Sequence, residues 1–148
     1  MGTTNAKAIE KLAIIGTIDP QTCANTELFS DVIDMSKFHQ VIATLLTGDM
    51  ANETVDFKCY RCASDGNSAV ELKKATQRAA SASANDNIQI AINVRADELM
   101  ASGAQYVKFS VQTGNTTGGP AAVLIQGVDA RFDPASDANL ASVKELVG

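Results

Sequence analysis

The chain has 148 residues, 45% of them hydrophobic and 20% charged, with a net charge of −5 at pH 7. That length and balance fit one globular domain rather than a disordered segment. No run of about 18 apolar residues is present, so no membrane-spanning helix is expected, and the acidic balance, with no basic cluster beyond Lys73, Lys74 and Arg78, argues against a nucleic-acid partner.

Residues 1–29 read as an N-terminal arm. The apolar stretch LAIIG is too short for a signal-peptide core, so secretion is not indicated, and Ala6 stands where a myristoylation signal needs Ser or Thr. AKAIEKLA suits a short helix. The residues that follow lack a sustained period, yet Leu12, Ile14, Ile15, Ile18, Leu28 and Phe29 are too apolar for a free tail in water. Either they pack on their own domain or they reach across to another molecule; fully extended, the arm spans on the order of 95 Å. These six are the candidate partner-binding residues.

Residues 30–133 carry strand signals. HQVIATLLTG (39–48) and AAVLIQGV (121–128) are continuously apolar and β-branched, the pattern of central strands covered on both faces or of a sandwich core. ETVDFKCYRCA (53–63) is another strand and AVELKKAT (69–76) a weaker one. In NIQIAINVR, Ile88, Ile90, Ile92 and Val94 alternate with polar or small residues, and in YVKFSVQT, Val107, Phe109 and Val111 do the same; period two marks half-buried strands. Gly48-Asp49, Asp65-Gly66-Asn67, 84–87, Ser102-Gly103 and TGNTTGGP (113–120) supply turns at short intervals. RADELMA (95–101) holds about two helical turns, too little for a βαβ crossover. The expected fold is therefore all-β: an antiparallel β-sandwich, jelly-roll-like, with the N-terminal arm and a short C-terminal helix. That helix falls within residues 134–148, where Asp137 is a candidate cap and Leu140, Val143 and Val147 recur at helical spacing.

Candidate chemistry is sparse. Cys59 and Cys62 form a CxxC, the spacing of a redox pair or half a zinc site. They lie within one strand, however, so side chains three apart point to opposite faces, and a turn rather than a helix follows them. Cys23 and His39, the only histidine, have no partners at ligand spacing. TGNTTGGP has no lysine and opens no helix, which fits a hairpin loop and not a phosphate cradle. Asp97 and Glu98 sit on a solvated face, Asp31 and Asp34 line a turn, and Asp129, Arg131 and Asp133 alternate after the last strand. No catalytic residue, cofactor or metal ligand is assigned, and the chain is expected not to be an enzyme.

Five phrases, KLAIIGTIDP, VIDMSKFHQVIATLLTGDM, VDFKCYRC, YVKFSVQTG and VLIQGVDARFDPAS, together resemble a family of small tailed-phage proteins encoded near the major capsid gene, some of them like capsid decoration, or cement, proteins. The resemblance covers roughly residues 11–147. Cysteines stand at CYRCASDGNSAVELKKA where such proteins carry a polar, Gln- and Thr-rich strand, so the thiols look incidental. The resemblance implies a virion protein made in the host cytoplasm and bound to the outer capsid surface, with the major capsid protein as partner. It also implies a homo-oligomer, an arm linking neighbouring capsid subunits, and neither nucleic acid nor membrane as partner. A head–tail connector or tail subunit, and a sandwich-type ligand- or cell-surface-binding module, are the alternatives.

Overall fold

The computed structural model describes residues 7–78, 84–114, 117–132 and 142–147. A single-turn helix α1 (Ala8–Lys11) precedes β1 (Leu12–Cys23). Two short strands, β2 (Leu28–Phe29) and β3 (Ile33–Asp34), lead into β4 (Phe38–Thr47) and β5 (Val55–Cys62). Then come β6 (Val70–Lys74), β7 (Gln89–Arg95), a 3-10 helix (Ala96–Ser102), β8 (Tyr106–Thr113) and β9 (Gly119–Ala130). Every pairing is antiparallel.

The strands form two sheets. The first runs β1-β9-β4-β7; the second runs β2-β8-β5-β6, with β3 also on β8. Alternation decides what lies between them. From the first sheet, Val41, Ala43, Leu45, Ile92, Val94, Val123 and Ile125 point inward and are buried. From the second come Val55, Phe57, Cys59, Val107, Phe109 and Val111, with the Phe57 and Phe109 rings 6.2 Å apart. Burying each large side chain stabilises the fold by roughly 1.5–3 kcal/mol. Gly127 is required by this packing: a Cβ there would stand 2.6 Å from the Phe38 ring.

Polar contacts tie the two sheets and their loops together. Lys73 Nζ on β6 donates to the Asn93 carbonyl on β7 at 2.9 Å and pairs with Glu98 at 2.6 Å. Thr47 Oγ1 donates to the Asn85 carbonyl at 2.8 Å and accepts from the Ile88 N–H at 3.0 Å, while Asn85 Nδ2 donates to the Glu53 carbonyl. Among the described residues no buried side-chain polar atom lacks a partner.

The antiparallel sandwich matches the sequence expectation, and its six legible strands sit within about two residues of where the patterns place them. The arm does not survive as a separate element. Residues 12–23 are β1, paired with β9 from Leu12↔Val128 to Cys23↔Gly119. Ala13, Ile18 and Cys23 belong to the core. Irregularities between Ile14 and Gly16 and between Ile18 and Gln21 reset the alternation twice, which hides a strand from a period-two reading. Most of the expected C-terminal helix, including Asp137 and Leu140, lies outside the described residues; Val143 and Val147 lie in a described stretch without helix.

Candidate functional site

The thiols come first. Cys59 points inward beside Phe57 and is fully buried; Cys62 is buried too, but outside the core cluster. The two therefore sit on different faces of β5, as their spacing requires, and all three cysteines are free. Burial pushes the Cys59 thiol up to about 12 and raises Cys23 and Cys62 as well. A thiol held protonated is neither a nucleophile nor a metal ligand. Among the described residues no group of three or more His, Cys, Asp or Glu side chains is placed to hold a metal ion, and no helix is long and apolar enough to cross a membrane.

The six candidate partner-binding residues do not form one surface. Ile18 is 3% exposed and belongs to the domain's own core, which corrects its assignment to a partner. Ile15 and Leu28 are half-buried and pack against that core. Phe29, 45% exposed, lies on the second sheet, beside the Tyr60 ring and under Lys108 Nζ, 4.1 Å from its centroid. Only Leu12 and Ile14 share a face, the outer face of the first sheet.

That face extends across all four strands of the first sheet. Register places its outward side chains in rows across four strands. Leu12, Val128, Gln40 and Arg95 form the first row. Ile14, Gln126, Ile42 and Asn93 form the second. Thr17, Leu124, Thr44 and Ala91 form the third. Ala122, Leu46 and Gln89 complete it. None of these is buried, and Leu46 is 47% exposed. Arg95, at one corner, is the one charged side chain in these rows; Asp129, hydrogen-bonded to Gln40, and Asp19, hydrogen-bonded to Thr17, stand at their margins. The outer face of the second sheet is the opposite case, with Asp56, Lys58, Glu71, Lys74 and Lys108 in its rows. The signal for the first face was present in the sequence: β4 and β9 are apolar on both faces, and among the described residues the second sheet covers only one.

At the Arg95 corner a cleft of about 310 Å³ opens between the start of β4, the 3-10 helix and the end of β9, lined by His39, Gln40, Arg95, Asp97, Met100, Asp129 and Arg131. Gln40 Nε2 donates to Asp129 Oδ2 at 2.6 Å, and Arg95 pairs with Asp97 at 3.1 Å. Asp129 holds a left-handed backbone, φ +53°, where the chain leaves β9. The sequence placed His39 at a strand start and Asp129 and Arg131 after the last strand; the fold brings them together across 90 residues of chain.

The geometry defines a β-sandwich module with one nearly uncharged outer face and a polar cleft at its corner. No family model matches the chain, and no curated protein matches its sequence. Among solved structures it is similar to a chain of the disulfide-linked pili of Bacillus endospore appendages, at 14% identity over 86% of this chain and 99% of that one, TM-score 0.45. It is similar also to Triatoma virus, at 8% identity over 93% and 72%, TM-score 0.44. A third is the Clostridium thermocellum xylanase 10B, at 9% identity, where 84% of this chain matches 27% of that one, TM-score 0.45. At these scores none of the three decides between roles.

Proposed function

We propose that the chain is a non-catalytic structural protein of a virion, a decoration protein that docks on the outer surface of a tailed-phage capsid and stabilises it. The observation that carries the reading is the nearly uncharged outer face of the first sheet. Four rows of Leu, Ile, Val, Ala, Thr, Gln and Asn, with one arginine among them, are depleted of charge as interface cores are, and half-exposed apolar side chains spread over four strands support a contact site there. The partner's identity as the major capsid protein comes from the resemblance of the sequence phrases to capsid-associated phage proteins. The arm is no longer the device that links subunits, because β1 is held in the domain's own sheet; docking passes to the face. Binding the assembled shell and not its free subunits stabilises the shell by mass action, and many copies on one lattice add avidity. The charged second sheet then faces solvent.

Cosedimentation with capsids lacking the protein tests this. Saturable binding is expected for the wild type and for Lys58→Glu on the second sheet. Leu124→Lys and Ile42→Lys are expected to lose it while keeping a wild-type melting transition. Equal binding by all four would remove the face from the reading. No binding, with rings or tubes formed by the protein alone, would replace it with a head–tail or tail subunit.

A further inference from the structure

The corner cleft has an unequal account of donors and acceptors. Asp129 is met by the Gln40 amide and Asp97 by the Arg95 guanidinium. The imidazole of His39 and the guanidinium of Arg131 line the same cleft, and neither makes a side-chain hydrogen bond or ion pair with any described residue. Both side chains are exposed, so their donors are accessible to an anionic acceptor, and arginine's planar fork matches a carboxylate. Each aspartate still has lone pairs beyond its one donor, so the cleft also offers acceptors for hydroxyl groups. Two aspartates beside the anion site disfavour a doubly charged group such as phosphate by like-charge repulsion. Met100, 76% exposed, contributes an apolar lip for C–H surface. The volume, about 310 Å³, lies at the lower end of ligand pockets, room for one ring-sized group. Asp129 holds its carboxylate in the cleft from a left-handed backbone, a conformation that costs energy and collects at functional positions.

We propose that this cleft binds an acidic sugar: a single singly charged pyranose unit whose carboxylate meets Arg131 and His39 and whose hydroxyls donate to Asp129 and Asp97. The site adjoins the docking face, sharing Gln40 and Arg95 of its first row, and it is testable on the free protein without any capsid.

The test is an amide-resolved NMR titration of the full chain with sodium glucuronate, glucose and sodium acetate at constant ionic strength. Glucuronate is expected to shift the amides of Gln40, Ala96, Asp129 and Arg131 saturably. Glucose, which lacks the carboxylate, and acetate, which lacks the hydroxyls, are each expected to bind about tenfold more weakly or less, and Arg131→Ala to weaken glucuronate about tenfold. The Arg131 side chain is exposed, so its removal leaves the fold intact, and the unperturbed remainder of the spectrum verifies this. The proposal is overturned by absence of saturable glucuronate binding, by shifts centred elsewhere, by acetate binding as tightly as glucuronate, or by an Arg131→Ala protein that binds like the wild type.

Discussion

Cys59 stands beside Phe57 on the inner face of the second sheet, and its chemistry follows from that position. With its pKa at about 12, the thiol stays protonated at any working pH. Iodoacetamide at pH 8 is therefore expected to leave Cys59 unmodified in the native protein and to label it after denaturation; mass mapping of a native labelled Cys59 would contradict the burial. Cys59→Ser would put a hydroxyl among apolar neighbours and is expected to cost about 1–3 kcal/mol in urea unfolding. Glu27 is the converse case. Burial raises its pKa, but hydrogen bonds from the Tyr60 hydroxyl at 2.6 Å and the Ser110 hydroxyl at 2.7 Å, with Lys58 and Lys108 nearby, outweigh burial and leave it below the ordinary value of 4.5. A carboxylate whose folded pKa is depressed adds stability above its unfolded value and loses it as pH falls through the folded one. Denaturation of wild type and Glu27→Gln at pH 6 and pH 3 is expected to show the larger loss on acidification in the wild type; identical losses would show that the two hydroxyls do not favour the charged form.

β1 is the element on which the organisation of the chain turns. It forms one edge of the first sheet and covers the side of β9 that β4 does not. Its inward residues, Ala13, Ile18 and Cys23, close the core at that edge, and its two irregularities and Pro20 suit an edge strand, where unbroken pairing potential invites aggregation. Ile18→Ala is expected to destabilise the domain by about 2–5 kcal/mol, and removal of residues 1–23 to abolish cooperative unfolding, because β9 would lose one of its two neighbours. A truncated chain that still melts cooperatively, with an Ile18→Ala cost near zero, would return the segment to the status of an arm. Gly127 shows the same dependence on neighbours: its place in β9 is dictated by the Phe38 ring of β4, which nothing near it in sequence announces.

At the scale of the whole molecule the two outer faces differ in kind, one nearly uncharged and the other crossed by lysines and acids, on a chain whose net charge is −5. That asymmetry predicts how docking responds to salt. Contacts made through charges weaken once the Debye length shrinks to about 3 Å at 1 M salt, whereas apolar burial does not. In the cosedimentation test, binding through the first face is expected to persist at 1 M NaCl; loss at that concentration would move the contact to the charged sheet.

The alternating patterns of β7 and β8 and the turns between strands were enough to establish an antiparallel all-β domain, because period two with frequent breaks is a local consequence of a half-buried pleated strand. The opposite orientation of Cys59 and Cys62 was equally local, set by pleat geometry along one strand. The apolar runs of β4 and β9 showed that both their faces carry hydrophobic side chains. Which of those faces would be covered, and that Ile18 would turn inward while Leu12 and Ile14 turned out, was decided only by pairing across the sheet. The corner cleft is the extreme case: His39, Arg95 and Arg131 meet because β4, β7 and β9 are neighbours, and strand order is fixed by long-range burial, which leaves no periodic trace in the chain.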